Sequence, residues 1–292
     1  MPIQTDYSQR FTLENLDIRG QLVQLTDSWR SLLKGRDYPA EVLAYLGEMM
    51  CVSVLVGAGL KHSGKVTLQV QGARGDGEHH AAKLVVVDCT HDLGIRGMAS
   101  FDGKAAAGCY SDWVSGGTLA MTVYQAETGQ MYQSIVPVSG LTVAECFEHY
   151  FDQSEQLPTH LWLASDANGA GALLLQKLPG ADAKDPDGWA RVEHLASTVT
   201  AADLVNLDAK RLLQQLFAEE DVRLFNAKPV HSASKRDVKK VESMLRSLGR
   251  AEVEAMLTEI GEIVVKDDMC NEEYRFDRAA IEILFQNQLG NL

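Results

Sequence analysis

The chain is short of paired cysteines, of positive charge and of long apolar runs, and each shortage excludes something. Its five cysteines, Cys51, Cys89, Cys109, Cys146 and Cys270, are odd in number and widely scattered. That distribution is unlike a disulfide framework and fits a reducing compartment. Acidic residues outnumber basic ones by 40 to 27, and the formal charge of −13 repels phosphate backbones, which argues against nucleic acid as the main ligand. The opening MPIQTDYSQRF has no basic region ahead of an apolar run, so it does not read as a secretory signal. Val52 to Leu60 is the most apolar tract and is too short to span a bilayer. No Gly-x-x-x-x-Gly-Lys-Ser/Thr stretch is present to hold a nucleotide. A cytoplasmic protein with neither membrane nor nucleic-acid partner is the expectation.

What is present suffices for a packed core: 46% of the 292 residues are hydrophobic, and the length predicts one large domain with a smaller one beside it. The pattern is α+β. Asp37 and Pro39 open an apolar helix through Val42, Leu43, Leu46 and Met49, with Asp37 as its cap. Short β-type runs follow: VTLQV from Val66, KLVVVDC from Lys83, GIRGMASF from Gly94, TLAMTVY from Thr118 and QSIVPV from Gln133. Gly, Asp and Ser between them predict antiparallel hairpins packed on helices. Thr142 then caps a helix whose Val143, Cys146, Phe147, Tyr150 and Phe151 recur at helical spacing. THLWLAS and GALLLQKL predict one more strand pair.

The Pro, Gly and Asp cluster LPGADAKDPDGW at 178–189 is a boundary signal. Beyond it the pattern is helical, with Leu204, Leu207, Leu213, Leu216 and Phe217 as an apolar stripe. The last part of the chain predicts two helices, a hairpin around KDDMCNEEYRF at 266–276, and a closing helix that Asp277 caps ahead of Ile281, Leu284, Phe285 and Leu289. Its apolar contacts come chiefly from Val264, Tyr274, Phe276, Ile281, Leu284 and Phe285. So small a unit usually needs a metal or a docking partner.

Three places carry candidate chemistry. The loop GARGDGEHH at 72–80 has glycines for a phosphate and histidines for a metal, yet no helix start follows, and turn chemistry alone explains the glycines. Asp88, Cys89, His91 and Asp92 in VDCTHD offer a nucleophile and a base, the alternative reading being a small-molecule enzyme; a buried cysteine at a strand end explains the same residues. In the hairpin, Cys270 sits where a zinc knuckle would have its second sulfur, and Asp267 stands where the first should be.

The stretch YFDQSEQLPTHLWL at 150–163, with RGMASF from Arg96, GGTLAMTV from Gly116 and LLQQLFAEEDVRLF from Leu212, closely resembles the 33 kDa chaperonin family, the redox-regulated heat-shock holdases of bacteria. The resemblance covers nearly the whole chain. It implies a substrate-binding α/β domain at 1–178, a helical linker at 179–229 and a C-terminal switch domain at 230–292. It also implies an ATP-independent chaperone whose partners are unfolded client proteins, and it leaves room for a homodimer. The stripe Leu204, Leu207, Leu213, Leu216 and Phe217 is then the candidate client surface, masked at rest by packing on the N-terminal domain. In the family a Cys-x-Cys and a later Cys-x-x-Cys hold zinc until oxidation ejects it. Here the hairpin matches the second pair, and the first falls at Ser234 and Arg236, or in a shifted register at Ser232 and Ser234. Three of the four thiolate positions therefore lack sulfur, so no zinc cofactor and a degenerate switch are the expectation. A makeshift set of His231, Asp268 and Cys270 is the alternative, with ligands that the sequence does not make converge.

Overall fold

In the computed structural model, which describes residues 6–71, 82–101, 117–136, 142–233 and 238–286, the chain divides into two compact units, Met1–Ala233 and Ser234–Leu292. Among the described residues the first unit is built on two six-stranded sheets. One is made of β1 (Tyr7–Leu13), β2 (Ile18–Leu25), β8 (Thr159–Ser165), β9 (Ala170–Lys177), β10 (Val222–Leu224) and β11 (Lys228–Pro229). Its path runs β10-β1-β2-β9-β8, with β11 also on β1. The other is made of β3 (Gly64–Gln71), β4 (Ala82–Thr90), β5 (Gly94–Phe101), β6 (Thr118–Gln125), β7 (Met131–Val136) and β12 (His231–Ser232), in the order β12-β5-β4-β3-β6-β7. All described pairings are antiparallel except β12 with β5.

Helix α2 (Ala40–Gly57), which follows the short α1 (Asp27–Leu33), packs against strands of both sheets. Leu46, Met49, Met50 and Val54 of α2 share one core with Val66, Leu68, Val85 and Val87 of the second sheet and Ala170, Ala172 and Leu174 of the first. The helix is longer than the apolar tract Val52–Leu60, beginning twelve residues before it at Ala40. By length and composition its 18 residues are apolar enough to cross a membrane, but 67% of that window is buried, and packing on two sides accounts for the composition. Asp37 does not cap it: the N-cap is Pro39, whose carbonyl accepts the N–H of Leu43, and no side chain caps this end.

Strands β1 and β2 were not anticipated, yet β2 pairs β9 along its whole length, from Ile18 with Lys177 to Leu25 with Ala170. Helix α3 (Val143–Glu155) starts as the sequence predicts, with the Thr142 hydroxyl accepting the N–H of Glu145, and ends at Gln156 in the left-handed region at φ 56°. The cluster LPGADAKDPDGW folds as a turn and the short helix α4 (Ala181–Lys184), fastened to the β1–β2 turn by the N–H of Leu178 on the Asp17 carbonyl and by Lys184 Nζ on the Asp17 carboxylate at 2.6 Å.

Helices α5 (Gly188–Ala196), α6 (Ala201–Asn206) and α7 (Ala209–Leu216) cover the other face of the first sheet, where Phe11, Leu13, Ile18, Leu22, Leu173 and Leu175 meet them in a second core. Strand β9 is thus buried on both faces, which explains its unbroken run GALLL. The segment expected as a linker at 179–229 lies within the first unit, and the division between units falls after Ala233.

The second unit contains α8 (Val238–Leu248), α9 (Arg250–Ile260), the hairpin of β13 (Ile263–Asp267) and β14 (Glu272–Phe276), and α10 (Arg278–Gln286). Among the described residues ten buried side chains form its core, including Leu245, Val253, Ile263, Tyr274, Phe276, Ile281, Leu284 and Phe285. Val264, expected there, is 45% exposed, because strand alternation turns Ile263 inward instead. Asp277 caps α10 through the N–H of Ala280, and Leu289 lies outside the described residues. Gly249 joins α8 to α9 at φ 91°, a conformation that favours glycine.

Candidate functional site: the switch hairpin and the linker stripe

The β13–β14 ladder runs from Ile263 opposite Phe276 to Asp267 opposite Glu272. At its tip the Asp267 carboxylate accepts the backbone N–H of Met269 at 3.0 Å and of Cys270 at 3.3 Å, and Asn271 completes the turn at φ 57°. Aspartate and asparagine suit these places because short polar side chains close turns onto backbone donors and tolerate the left-handed region. Of the four positions that the resemblance equates with zinc ligands, the structure brings Asp267 and Cys270 together; Ser234 and Arg236 lie outside the described residues.

The described part of the donor set, Asp267 and Cys270, does not fit a structural zinc. Oδ1 of Asp267 is already engaged by two backbone donors, and a single thiol, that of Cys270, accompanies it in the turn. Among the described residues no group of three or more His, Cys, Asp and Glu is arranged to hold a metal. His231, the third member of the makeshift set, belongs to β12 of the first unit, where Nε2 lies 3.8 Å from the Asp92 carboxylate; Asp268 and Cys270 belong to the second unit.

The linker stripe is covered. Leu204, Leu213, Leu216 and Phe217 are each 5% exposed or less, and Leu207 is half-buried. Two glycines permit the close approach of helices and sheet. A Cβ on Gly171 of β9 would lie 2.2 Å from the Leu204 carbonyl oxygen, and one on Gly20 of β2 would lie 2.0 Å from the ring of Phe11, which in turn packs on Phe217 with centroids 6.2 Å apart. Exposed apolar side chains occur elsewhere: Met131, Tyr132 and Ile135 on the uncharged β7 are all more than half exposed. Strand alternation alone had not marked them out.

VDCTHD does not assemble a nucleophile and base. Cys89 is fully buried, its Sγ lies 3.5 Å from the Thr90 carbonyl, and burial, with Asp92 and Asp88 nearby, pushes the thiol up to about 12. His91 is exposed in the following turn. Asp88 is a structural staple: Lys65 of β3 lies 2.9 Å away and Arg96 of β5 2.8 Å away. Burial works to raise its pKa, but hydrogen bonds from Thr67, Lys65 and Arg96 outweigh it and hold the carboxyl below its ordinary range. The loop at 72–80 and Cys109 lie outside the described residues.

The family model described as Hsp33 protein matches residues 6–277. The chain belongs to the Hsp33 family. Two relatives named 33 kDa chaperonin, from Methylobacillus flagellatus and Nitrosococcus oceani, are 42% and 40% identical to it, over 98% and 97% of this chain and 96% of each relative. A solved Hsp33 homologue, the 33 kDa chaperonin of Thermotoga maritima, has a TM-score of 0.73 at 19% identity, covering 98% of this chain and all of that one. Membership in Hsp33 makes this a chaperone-family chain, and the α+β architecture is shared with that structure.

Proposed function

We propose that this Hsp33 member is an ATP-independent holdase of the cytoplasm that binds unfolding proteins and keeps them from aggregating, and that zinc and disulfide switching have been lost from it. The observation that carries the second half is the Asp267 carboxylate closing the turn where a ligand sulfur would sit. Zinc contributes on the order of 10 kcal/mol or more to folding small metal domains. This second unit instead relies on the apolar core around Tyr274 and Phe276.

The stripe from Leu204 to Phe217 is the client surface in this reading, offered when α6 and α7 lift from the sheet. Control then comes from local opening, most simply by heat. A non-enzymatic role agrees with the buried, protonated Cys89. Independence from ATP agrees with the stretch from Gly59 to Val66, which has a nucleotide-loop spacing but ends in Val66 where Ser or Thr is needed, and leads into β3 instead of a helix. The net charge of −13 keeps client complexes dissolved and disfavours nucleic acid.

The test is aggregation of a heat-denaturing client with reductant and with oxidant, at two temperatures, with and without ATP, alongside Cys270→Ser. Suppression in reductant, unchanged by ATP and by the substitution, is expected. Inactivity in reductant with strong activation by oxidant that Cys270→Ser abolishes would show redox control surviving on one thiol.

A further inference from the structure

Inside the first unit, two titratable side chains lie where α5 and α6 meet the first sheet. His160 of β8 is half-buried, its ring stacked on Trp189 of α5 with centroids 5.6 Å apart and planes 19° apart, and 6.0 Å from the ring of Trp162. Its Nδ1 lies 3.5 Å from Glu148 of α3, and its Nε2 lies 3.2 Å from Glu193 of α5. A neutral imidazole has one N–H, so only the imidazolium donates toward both carboxylates at once. Protonated, His160 ties α3, β8 and α5 together. Neutral, it leaves one carboxylate without its donor, while Glu148 stays in place because it also accepts the N–H of Leu161 at 2.7 Å.

The second group is Glu48 of α2. It lines a cavity of about 260 Å³ whose other walls include Trp162 of β8 and Val199, Ala201 and Leu204 of the linker. Leu161, Trp162, Leu163, Val199 and Leu204 supply the apolar part of the lining, and beside them a proton suits Glu48 better than a charge, which is stabilised where residues 199–204 part from α2 and more water reaches it. Cys51, one turn further along α2, is its titratable neighbour and is itself buried.

We propose that His160 and Glu48 form a proton-operated latch that fastens residues 189–204 to the sheet, and that proton loss frees the linker. The proposal rests on the reading of that linker as the client surface and supplies its regulation. Both groups act with the same sign. The hydrogen bond to Glu148 raises the His160 pKa most, burial opposes it, and the charges of Glu148 and Glu193 add to the rise. Burial raises Glu48 to about 7. A group whose pKa is raised in the docked state stabilises docking fully below its ordinary pKa, and that contribution is lost as pH climbs through the raised value. The latch is therefore closed on the acid side and loosens as pH passes about 7.

Hydrogen exchange of the full chain without client, at about pH 6 and about pH 8 and corrected for intrinsic exchange, tests this. Opening of the 188–217 amides should rise roughly tenfold or more across that range in the wild type. It should be flat in the double variant Glu48→Gln, His160→Gln. Equal wild-type opening at both pH values, or a double variant that keeps the wild-type response, overturns the latch. If the double variant does not fold, Glu193→Gln on the surface removes one arm and should shrink the response; an unchanged response overturns the proposal equally. Client aggregation is measured separately at both pH values. Opening that rises without a rise in holdase activity upholds the latch and sinks the assignment of the linker as client surface.

Discussion

The carboxylate of Asp267 accepts the backbone N–H of Cys270 across the tip of the switch hairpin at 3.3 Å. In a zinc knuckle the sulfur at that place is held by metal; here an oxygen closes the turn through hydrogen bonds alone. The purified protein should therefore carry no stoichiometric zinc, and Asp267→Ala should lower the stability of the second unit by about 1 kcal/mol, read from urea unfolding. About one zinc per chain surviving mild chelation would contradict the first expectation.

Gly171 lets α6 lie against the sheet. Gly171→Ala places a methyl group 2.2 Å from the Leu204 carbonyl oxygen and 2.7 Å from its carbon, so backbone must move. The expected cost is about 1–3 kcal/mol. It should appear as a lower melting temperature, with greater binding of an apolar dye and stronger suppression of client aggregation in reductant. A variant with wild-type melting and dye binding would show that α6 does not press on β9.

Asp88 joins three strands through Lys65 and Arg96. Asp88→Asn should cost about 2 kcal/mol at neutral pH, since Lys65 and Arg96 are about one third exposed and water compensates in part. Because the folded state depresses the Asp88 pKa, its contribution is present above its ordinary value of 3.8 and lost as pH falls through the depressed one. Chemical unfolding followed from neutral pH downward should show the gap between wild type and variant closing only in strong acid.

The hairpin strands β3 to β7, the pair β8 and β9, the Thr142 cap and the Asp277 cap were legible in the sequence. Each depends on alternation, helical spacing or a side chain that caps its own backbone within a few residues. The family was legible too, because its motifs are contiguous in the chain. Strands β1 and β2 were not, since what defines them is pairing between residues as far apart as Ile18 and Lys177. Nor could sequence reveal that the stripe from Leu204 to Phe217 is covered, because periodicity shows that a face is apolar and not what meets it. Likewise the sequence determined that an aspartate stands in place of a ligand. Only the tertiary structure decided that its oxygen is engaged by the turn, and that His160 stands between Glu148 and Glu193. Local patterns record the period of one segment's own backbone; partners brought from distant segments depend on how the sheets and helices pack, which no single segment encodes.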